Sequence, residues 1–444
     1  IIADLSTSAA AIKEHTGKYP RIVTWPYGAW SVEVNELAAK LGLETALTLH
    51  TGEKLIAGDN VIQREMIVSN PGAKLFADMV AETRKPLPVR AAQVDLDYVY
   101  DPDPEQQERN LGRLLDRIHD LGLSHVFLQG FADPDADGAA DALYFPNRHL
   151  PMRADLFNRV AWQLKTRAEV DVFAWMPLLA FTGPDIDADW RVVQQRGDDI
   201  GPDPAGEPRL SPFNDEARQF IKEIYVDLAQ HANFSGIHFH DDGRMNEYED
   251  VSPAAMEFYE EQLGKDFSIA AARNDTELMH QWAGLKASTM IEFSEELVDA
   301  VSFYRPKLQT SRNIFASALL DDFSIVYLAQ DYEEYLQTYD YVALMAMPLL
   351  ENVSDSSSFY AQLIDIVSEM PQGTRQTIFQ LQTVDWKKQK PLPSDQLRDT
   401  FLYLQTQGVR NLAYYPEDFI QDRPELHELK RGLSLTVLPE RPQS

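Results

Sequence analysis

Eight short apolar segments, separated by amphipathic helical stretches, constrain the fold of this chain more than any other feature. Several are rich in β-branched or aromatic residues, and each is short enough to be one buried strand. Strands that alternate with helices predict parallel pairing, and eight such units match a (β/α)8 barrel of the TIM type, a fold of about 250 residues before insertions. The predicted strands are residues 91–97, 125–129, 172–175, 236–240, 308–313, 341–345, 377–382 and 411–415.

The alternative is an open, doubly wound sheet. Such a sheet would be expected to carry a glycine-rich phosphate-binding loop after its first strand, and Asp95-Leu96-Asp97-Tyr98 contains no glycine. Between the strands, apolar residues recur at helical spacing, as in Leu111, Leu114, Leu115 and Ile118, so that each helix has one face to bury. The barrel is therefore the preferred fold.

Residues 1–86 have a different pattern. A helical stretch leads to the strand-like residues 21–24, and a second helix leads to the strand-like residues 44–50. We interpret this region as the last part of a separate α/β domain, joined through a linker at 82–87, and assign the domains to 1–86 and 87–444. Because the chain begins at Ile1 on sequence typical of the middle of a domain, we expect it to be a piece of a longer protein.

The chain carries a net charge of −30, with 70 acidic against 40 basic residues. That balance argues against nucleic acid or an anionic membrane as partner, because both require a basic surface. It is compatible with a cationic ligand, and equally with acids that only keep the protein soluble. The absence of cysteine excludes thiol catalysis, disulfides and cysteine-bound metal.

Polar and aromatic residues follow the predicted strands at their C-terminal ends, where barrels of this type place their active sites. Aromatic faces stack on sugar rings, and carboxylates or amides bind hydroxyls and amines, so the sequence predicts a carbohydrate site. Asp95 and Asp97 are two apart and are expected on one face of their strand. The substrate-binding candidates are Asp95, Asp97, Trp175, His240, Glu247, Asn313, Trp386 and Tyr415.

Asp241 and Asp242 end the fourth predicted strand and are costly to desolvate unless the protein uses them. Glycoside hydrolysis needs one carboxylic acid to protonate the leaving oxygen and a second group to supply or stabilise the nucleophile. The run 234–242 resembles the fourth-strand motif of chitinase-type hydrolases, in which Asp242 would be the general acid. His238 and His240 replace two acids of that motif, which argues against substrate assistance. The catalytic candidates are Asp241, Asp242 and Glu249; Asp241, Glu247, Glu249, Asp95 and Asp97 compete for the second role.

Two patterns suggest metal sites but have simpler interpretations. Residues 133–138 resemble the start of a calcium loop, yet Pro134 intrudes and the acid expected at the twelfth position is missing, which favours a turn closed by aspartate. His238 and His240 lie two apart with no obvious third ligand, which favours buried, hydrogen-bonded histidines. We therefore predict no metal in the barrel.

Many of these segments together resemble one family. The matching residues include Asp95, Asp97, Asp135, Phe145, Asn147, Arg148, Trp162, Trp175, Pro177, His240, Asp242, Arg312, Asn313, Met345 and Pro348. In this order they resemble the C-terminal half of the PgaB/HmsF family, the poly-β-1,6-N-acetyl-D-glucosamine N-deacetylases of bacterial biofilm export.

The resemblance implies that 1–86 is the last part of a metal-dependent polysaccharide deacetylase domain. Arg21 and residues 25–28 match its arginine-containing motif, and His50 is similar to its Leu-x-His motif without being assigned a role. The divalent metal is expected only in the part that lies upstream of this chain, so the chain itself is not expected to deacetylate. The barrel is expected to need no cofactor.

For the barrel, the resemblance implies binding of partly deacetylated polymer, a polycation, and in some members its endo-cleavage. A non-catalytic module that passes the polymer to an export porin is the alternative. The location implied is the periplasm, with a lipid anchor at the outer membrane left open for the full-length protein. The stereochemistry of cleavage, the acetylation pattern and the oligomeric state are left open as well.

Overall fold

The structure is a computed structural model, and it describes residues 1–25, 30–48, 61–64, 88–306 and 308–435. The chain divides into two compact units, Ile1–Leu87 with Ala300–Leu308, and Pro88–Asp299 with Gln309–Ser444. The boundary between Leu87 and Pro88 lies one residue from the predicted boundary between residues 86 and 87. The short segment Ala300–Leu308 groups with the first unit, although the prediction assigned it to the second domain.

The first unit contains a small parallel sheet flanked by helices. Helix α1 (Ile2–Thr16) precedes β1 (Ile22–Thr24), and α2 (Val32–Lys40) precedes β2 (Thr45–Thr48), which pairs with β1 and with β3 (Val61–Gln63). Its core consists of Val23, Trp25, Trp30, Ala38, Leu43 and Ala46. Residues 26–29, 49–60 and 65–87, which include His50 and most of the predicted arginine motif, lie outside the described residues.

The second unit is built on alternating strands and helices. Its strands are β4 (Arg90–Val94), β5 (His125–Gln129), β6 (Phe131–Ala132), β7 (Ala142–Leu143), β8 (Asp171–Met176), β9 (Gln194–Arg196), β10 (Asp199–Gly201), β11 (Gly236–Phe239), β12 (Gln309–Phe315), β13 (Tyr341–Met345), β14 (Thr377–Gln382), β15 (Val384–Asp385), β16 (Lys390–Pro391) and β17 (Asn411–Tyr415).

Eight of these strands close into a parallel barrel, which confirms the predicted fold. They pair in chain order, β4, β5, β8, β11, β12, β13, β14 and β17, and β17 pairs with β4 to close the ring. Both faces of the strands are buried, since helices cover the outside and side chains fill the inside. Gly236 is required where β11 passes β8, because a Cβ there would approach the ring of Phe173 within 2.7 Å.

The helices that follow α2 are α3 (Pro104–Leu121), α4 (Phe157–Gln163), α5 (Asp215–His231), α6 (Pro253–Leu263), α7 (Ile269–Asn274), α8 (Thr276–Ser302), α9 (Ser317–Leu320), α10 (Ser324–Leu328), α11 (Tyr332–Thr338), α12 (Ser356–Glu369), α13 (Gly373–Gln376), α14 (Ser394–Thr406) and α15 (Leu426–Leu433). The Asp103 side chain caps α3 by accepting from the Glu105 amide, and Gly122 ends the helix in the left-handed conformation. The predicted apolar face of α3 is buried. Among the described residues, no helix is long and apolar enough to cross a bilayer.

Short connections at the strand ends bear on the site. Strand β4 ends at Val94, and a 3-10 turn (Leu96–Tyr98) follows, so the expectation that Asp95 and Asp97 share one face of a strand is wrong. The turn forms because the amides of Tyr98 and Val99 donate to the carbonyls of Asp95 and Leu96. Both aspartates nevertheless reach the mouth of the barrel.

Candidate active site

A cleft of about 350 Å³ opens at the C-terminal end of the barrel. Its wall comes from the ends of β4, β5, β8, β11 and β17 and from the loop after β5. The lining residues are Asp95, Asp97, Tyr98, Gln129, Phe131, Asp133, Gly138, Trp175, His240 and Tyr415. No lysine or arginine belongs to this lining, so within the described part of the chain the cleft wall is acidic and aromatic.

Side chains alternate between the two faces of β11, and this alternation decides which of its residues point towards the barrel interior and the cleft. His238 points into the barrel, where it stacks on Phe127 at 4.1 Å and shares a hydrogen bond of 3.1 Å with the Ser311 hydroxyl. Burial, together with the charge of His240, lowers the pKa of His238 to about 3. His240, two residues on, lines the cleft. The predicted interpretation of His238 as a buried, hydrogen-bonded histidine fits this geometry.

His240 and Asp241 form an ion pair beside the cleft, with Nδ1 and Oδ1 at 2.7 Å. Burial alone would lower the pKa of His240, but the charge and hydrogen bond of Asp241 raise it to about 9. Burial alone would raise the pKa of Asp241, but His240 and then Arg244 lower it to about 2. Near neutral pH this pair is therefore an imidazolium and a carboxylate.

Asp95 has the opposite character. Burial, followed by the charge of Asp97, raises the pKa of Asp95 to about 7, although the Tyr415 hydrogen bond and the charge of His240 act in the other direction. The Tyr415 hydroxyl donates to Oδ1 of Asp95 at 3.3 Å. A carboxyl group with a pKa near neutrality can hold a proton and release it during a reaction.

Asp97 is held by groups that sequence reasoning did not single out. Its Oδ1 accepts a hydrogen bond of 2.6 Å from the Tyr144 hydroxyl and lies 3.7 Å from Nε of Arg153. Tyr144 is fully buried in the loop after β5, where an isolated tyrosine in a sequence gives no signal of such a contact. These contacts fix Asp97 at the edge of the cleft.

Aromatic rings surround the acids. Trp175 meets His240, Phe131 and Tyr415 edge to face, with centroids 5.1 to 5.5 Å apart, and is 2% exposed. Trp386, which is 38% exposed, lies nearly parallel to the ring of Tyr415 at 6.3 Å. The predicted binding residues Asp95, Asp97, Trp175, His240, Tyr415 and Trp386 are thus brought together.

Asp242 has a different environment from its neighbour. It is 1% exposed, and its two carboxylate oxygens accept hydrogen bonds from the amides of Leu178, Leu179 and Ala180 at 2.6 to 2.9 Å. Because its acceptor sites are occupied by backbone donors, the structure gives it the task of holding the loop after β8. This geometry speaks against the predicted role of Asp242 as the general acid, which stays a prediction.

Glu249 is also committed to the fold. It is 1% exposed, and both its oxygens lie 2.9 Å from Nη2 of Arg209. The buried ammonium of Lys286 donates to the carbonyl oxygens of Asn246 and Glu249, which closes the same loop from the other side. A carboxylate in this arrangement does not reach the cleft, so the geometry speaks against a catalytic role for Glu249.

Two further binding candidates lie away from the cleft lining. Glu247 belongs to the loop after β11, where its charge acts on Lys286. Asn313 is buried on β12 and interacts with His238, one layer below the cleft. The structure does not bring either residue to the acids at the rim.

Glu207 is a site neighbour that sequence reasoning missed. Its carboxylate pairs with Nη2 of Arg244 at 3.1 Å, and its side chain lies so close to Gly138 that a Cβ there would be 2.5 Å from Cγ. Gly138 has φ +92°, a conformation that favours glycine. Glu207 lies in a Pro- and Gly-rich loop, 201–208, whose sequence gives no sign that it folds back on the site.

The aspartates of the loop after β5 form a turn, as predicted. The amides of Asp137 and Gly138 donate to the carboxylate of Asp133 at 3.1 and 2.9 Å. Asp133, Asp135 and Asp141 are the acids that approach one another closely enough to share a cation within the described ranges. Exposed acidic groups of this kind are common without a metal, and the absence of a metal in the barrel stays a prediction.

The described residues of the first unit supply no comparable cluster of ligands. Arg21, from the predicted deacetylase motif, is exposed and forms an ion pair with Glu44. Within residues 1–25, 30–48 and 61–64, no three histidine or acidic side chains converge as metal ligands would. These residues therefore do not by themselves fit a metal centre.

Comparison with known proteins identifies both parts of the chain. Residues 93–415 match the family model described as hypothetical glycosyl hydrolase family 13, and residues 1–46 match the polysaccharide deacetylase model. Poly-beta-1,6-N-acetyl-D-glucosamine N-deacetylases from Escherichia coli strain K12 and from O157:H7 are each 38% identical over 433 residues, which is 95% of this chain. The chain spans 63% of the length of these relatives.

Solved structures agree with this result. The PgaB (BpsB) glycoside hydrolase domain from Bordetella bronchiseptica is 44% identical, with a TM-score of 0.73, and the match covers 79% of this chain and all of that domain. A β-galactosidase from Rahnella sp. R3 matches with a TM-score of 0.54 at 13% identity, over 79% of this chain and 56% of its own. The second likeness shows the shared barrel fold alone.

Proposed function

The chain belongs to hypothetical glycosyl hydrolase family 13, and on that premise we propose that its barrel cleaves partly deacetylated poly-β-1,6-N-acetyl-D-glucosamine within the polymer. The proposal draws its substrate from the deacetylase relatives and the PgaB glycoside hydrolase domain, which this chain resembles. Family membership and these relatives agree with the family resemblance found in the sequence.

The substrate fits the charge of the cleft. Removal of N-acetyl groups leaves amines that are protonated at neutral pH, so the polymer is a polycation. Asp95, Asp97 and Asp133 line a cleft that holds no lysine or arginine among the described residues, and its His240 is paired with Asp241, in a protein with a net charge of −30. Trp175, Tyr415 and Trp386 add apolar surface for the faces of sugar rings.

One observation carries the proposed reaction: two carboxyl groups near the same rim have pKa values displaced in opposite directions. Asp95, with a pKa of about 7, would protonate the glycosidic oxygen as the bond to the leaving sugar breaks. Asp241, with a pKa of about 2, would be the ionised partner that activates water or stabilises the positive charge at the anomeric carbon. His240 would orient Asp241 and line the sugar site.

Product analysis tests this function. The protein is incubated with partly deacetylated polymer and the products are analysed by mass spectrometry, with fully acetylated polymer of equal length as the substrate control. We expect a series of short oligosaccharides from the first polymer, and their loss in both Asp95→Asn and Asp241→Asn. Asp299→Asn, a change of an exposed aspartate on α8, is the matched control.

The alternative, a non-catalytic module, makes a distinct prediction in the same experiment. It predicts binding that weakens with salt, since amines meet carboxylates, and no release of oligosaccharides. Full cleavage by both Asp95→Asn and Asp241→Asn would instead overturn the assignment of these two residues.

The other proposals draw on the deacetylase relatives and on the polysaccharide deacetylase match over residues 1–46. We propose that a longer form of the protein also N-deacetylates the polymer with a divalent metal bound in its upstream part, that it acts in the periplasm, and that an outer-membrane export porin receives the product. Acetate release by a form extended at its N-terminus, with and without a chelator, tests the first of these proposals.

A further inference from the structure

A second depression, which we call the lateral groove, lies on the flank of the barrel beside the N-terminal half of α5. It has a volume of about 570 Å³. Its apolar surface is aromatic: the ring of Trp190 lies 5.7 Å from that of Phe220, and the His149 ring packs on Phe220 at 4.6 Å. Trp190 is half-buried, so part of its indole remains available to a ligand.

The walls of the lateral groove carry a single sign of charge. Asp185, Asp215, Glu216 and Glu223 line it, and no lysine or arginine does within the described residues. Glu223 is engaged by His149, with Nε2 and Oε2 at 2.6 Å. The carboxylates of the exposed Asp185, Asp215 and Glu216 accept no hydrogen bond or ion pair in the described parts of the chain. They are therefore available to an external cation.

The lateral groove and the cleft are built by the same two loops. The loop after β5 gives Gly138 to the cleft and His149 to the groove, and the loop after β8 gives Trp190 to the groove and packs Glu207 against Gly138. The two loops are tied together, since the amide of Thr182 donates to Ala140 at 3.0 Å. Both depressions thus lie towards the end of the barrel where the strands terminate.

We propose that the lateral groove is a second binding site for a cationic amino-sugar polymer, holding a unit with a free amine outside the cleft. The sugar ring would pack on the half-buried Trp190, which the buried Phe220 supports from behind, and the ammonium would be bound by Asp215, Glu216 or Asp185. The identity of the polymer rests on the proposed function. The aromatic surface and the unpaired acids, in contrast, are features of the structure itself. A neutral sugar would leave these acids without a partner, and an anionic one would be repelled.

Binding, measured in an Asp95→Asn background to prevent cleavage, tests the inference. The probes are partly deacetylated β-1,6-linked glucosamine polymer, the same polymer fully acetylated, and a partly deacetylated trisaccharide as a short probe for the cleft. The variants are Trp190→Ala and the charge reversal Glu216→Lys. Tyr403→Ala and Glu257→Lys, on the exposed surfaces of α14 and α6, are the matched controls.

We expect each groove variant to weaken binding of the deacetylated polymer about three- to tenfold, with the trisaccharide affinity and both controls unchanged. Glu216→Lys changes only an exposed side chain, so it keeps the test valid if Trp190→Ala disturbs its loop. Unchanged polymer affinity in both groove variants overturns the inference. An equal loss of trisaccharide affinity also overturns it, because the loop would then act through the cleft.

Two further outcomes are informative. If Trp190→Ala and Glu216→Lys weaken binding of the fully acetylated polymer as much as binding of the deacetylated polymer, recognition of the amine is overturned. Failure of both the wild-type and the background protein to bind either deacetylated probe would overturn the proposed function itself, which distinguishes that failure from failure of the groove alone.

Discussion

The acids that follow β4 and those that follow β11 reach the same end of the barrel but have different partners. Asp95 faces the cleft with one weak hydrogen bond, whereas Asp242 is enclosed by three backbone amides and Glu249 by an arginine. Asp241 stands between these cases, since it is bound to His240 at the cleft wall. A position at a strand end brings an acid to the rim, but its hydrogen-bond partners decide whether chemistry can use it.

The largest expected effect is the loss of activity on substitution of Asp95, the acid that follows β4. Asp95→Asn removes the proposed proton donor, so we expect the rate of oligosaccharide release to fall by about 10² to 10⁴ while the fold is retained. Mass spectrometry of timed samples measures the rate. If Asp95→Asn kept most of its activity while Asp242→Asn lost all of it without loss of stability, the comparison would be reversed.

The next largest effect is a loss of stability on substitution of Asp242, an acid that follows β11. Asp242→Asn places an amide donor against the amides of Leu178, Leu179 and Ala180, so we expect the free energy of unfolding to decrease by about 3 kcal/mol. Urea denaturation followed by circular dichroism measures it. Asp299→Asn should leave the denaturation midpoint unchanged, and an Asp242→Asn protein as stable as the wild type would remove the proposed anchoring role.

The pH dependence separates the two acids further. Because Asp95 must be protonated to act as acid, we expect activity to fall about tenfold per pH unit above pH 7, where Asp95 ionises. Tyr415→Phe removes a hydrogen bond that lowers the pKa of Asp95, so this decline should begin at higher pH. A pH–rate profile of both proteins tests this. A profile in which Tyr415→Phe begins to decline at lower pH would contradict the assignment.

The same raised pKa has a consequence for stability whose sign can be worked out. The pKa of Asp95 in the folded protein is above its ordinary value, so its favourable contribution is complete below about pH 4 and is lost as pH rises through about 7. Asp95→Asn should therefore melt at a higher temperature than the wild type at pH 8, with little difference at pH 4. Calorimetry at both pH values measures it, and a lower melting temperature at pH 8 would contradict the burial of Asp95.

The smallest effect concerns the outer edge of the cleft. Trp386 is partly exposed and nearly parallel to Tyr415, so we expect Trp386→Ala to raise KM for the deacetylated polymer about two- to tenfold with little change in kcat. Steady-state kinetics separates the two constants, and Tyr403→Ala serves as the control. A change in kcat alone would place Trp386 outside substrate binding.

The barrel could be predicted from sequence because its signal is local and repeated. Each strand is a short apolar run, and each strand end carries polar residues, so periodicity alone places Asp95, Trp175, His240 and Tyr415 near one rim. The 3-10 turn at Leu96–Tyr98 was missed because a strand and a turn share the same residue types over so short a stretch.

The roles of the acids could not be predicted, because they depend on contacts between residues far apart in the chain. Asp242 meets backbone amides more than 60 residues earlier, and Glu249 meets Arg209 from a loop with no regular pattern. Glu207 reaches the cleft wall by folding back onto Gly138. Only the three-dimensional arrangement distinguishes an acid that is free from one that is already bound.

The closure of the barrel between β17 and β4 has a consequence for how the chain can be cut and rejoined. The amide of Leu435 donates to Gly122 at 3.1 Å, and the amide of Arg90 bonds the hydroxyl of Ser124 at 2.8 Å, so both ends of the barrel segment lie at one turn, on the side away from the cleft. In a protein without residues 1–87, a short linker from residue 435 to residue 88 would therefore give a circular permutant, with new termini at the exposed Gly264 between α6 and α7. Such a permuted barrel keeps each cleft residue in its own strand or loop, and a protein inserted into the new linker would lie on the side away from the cleft.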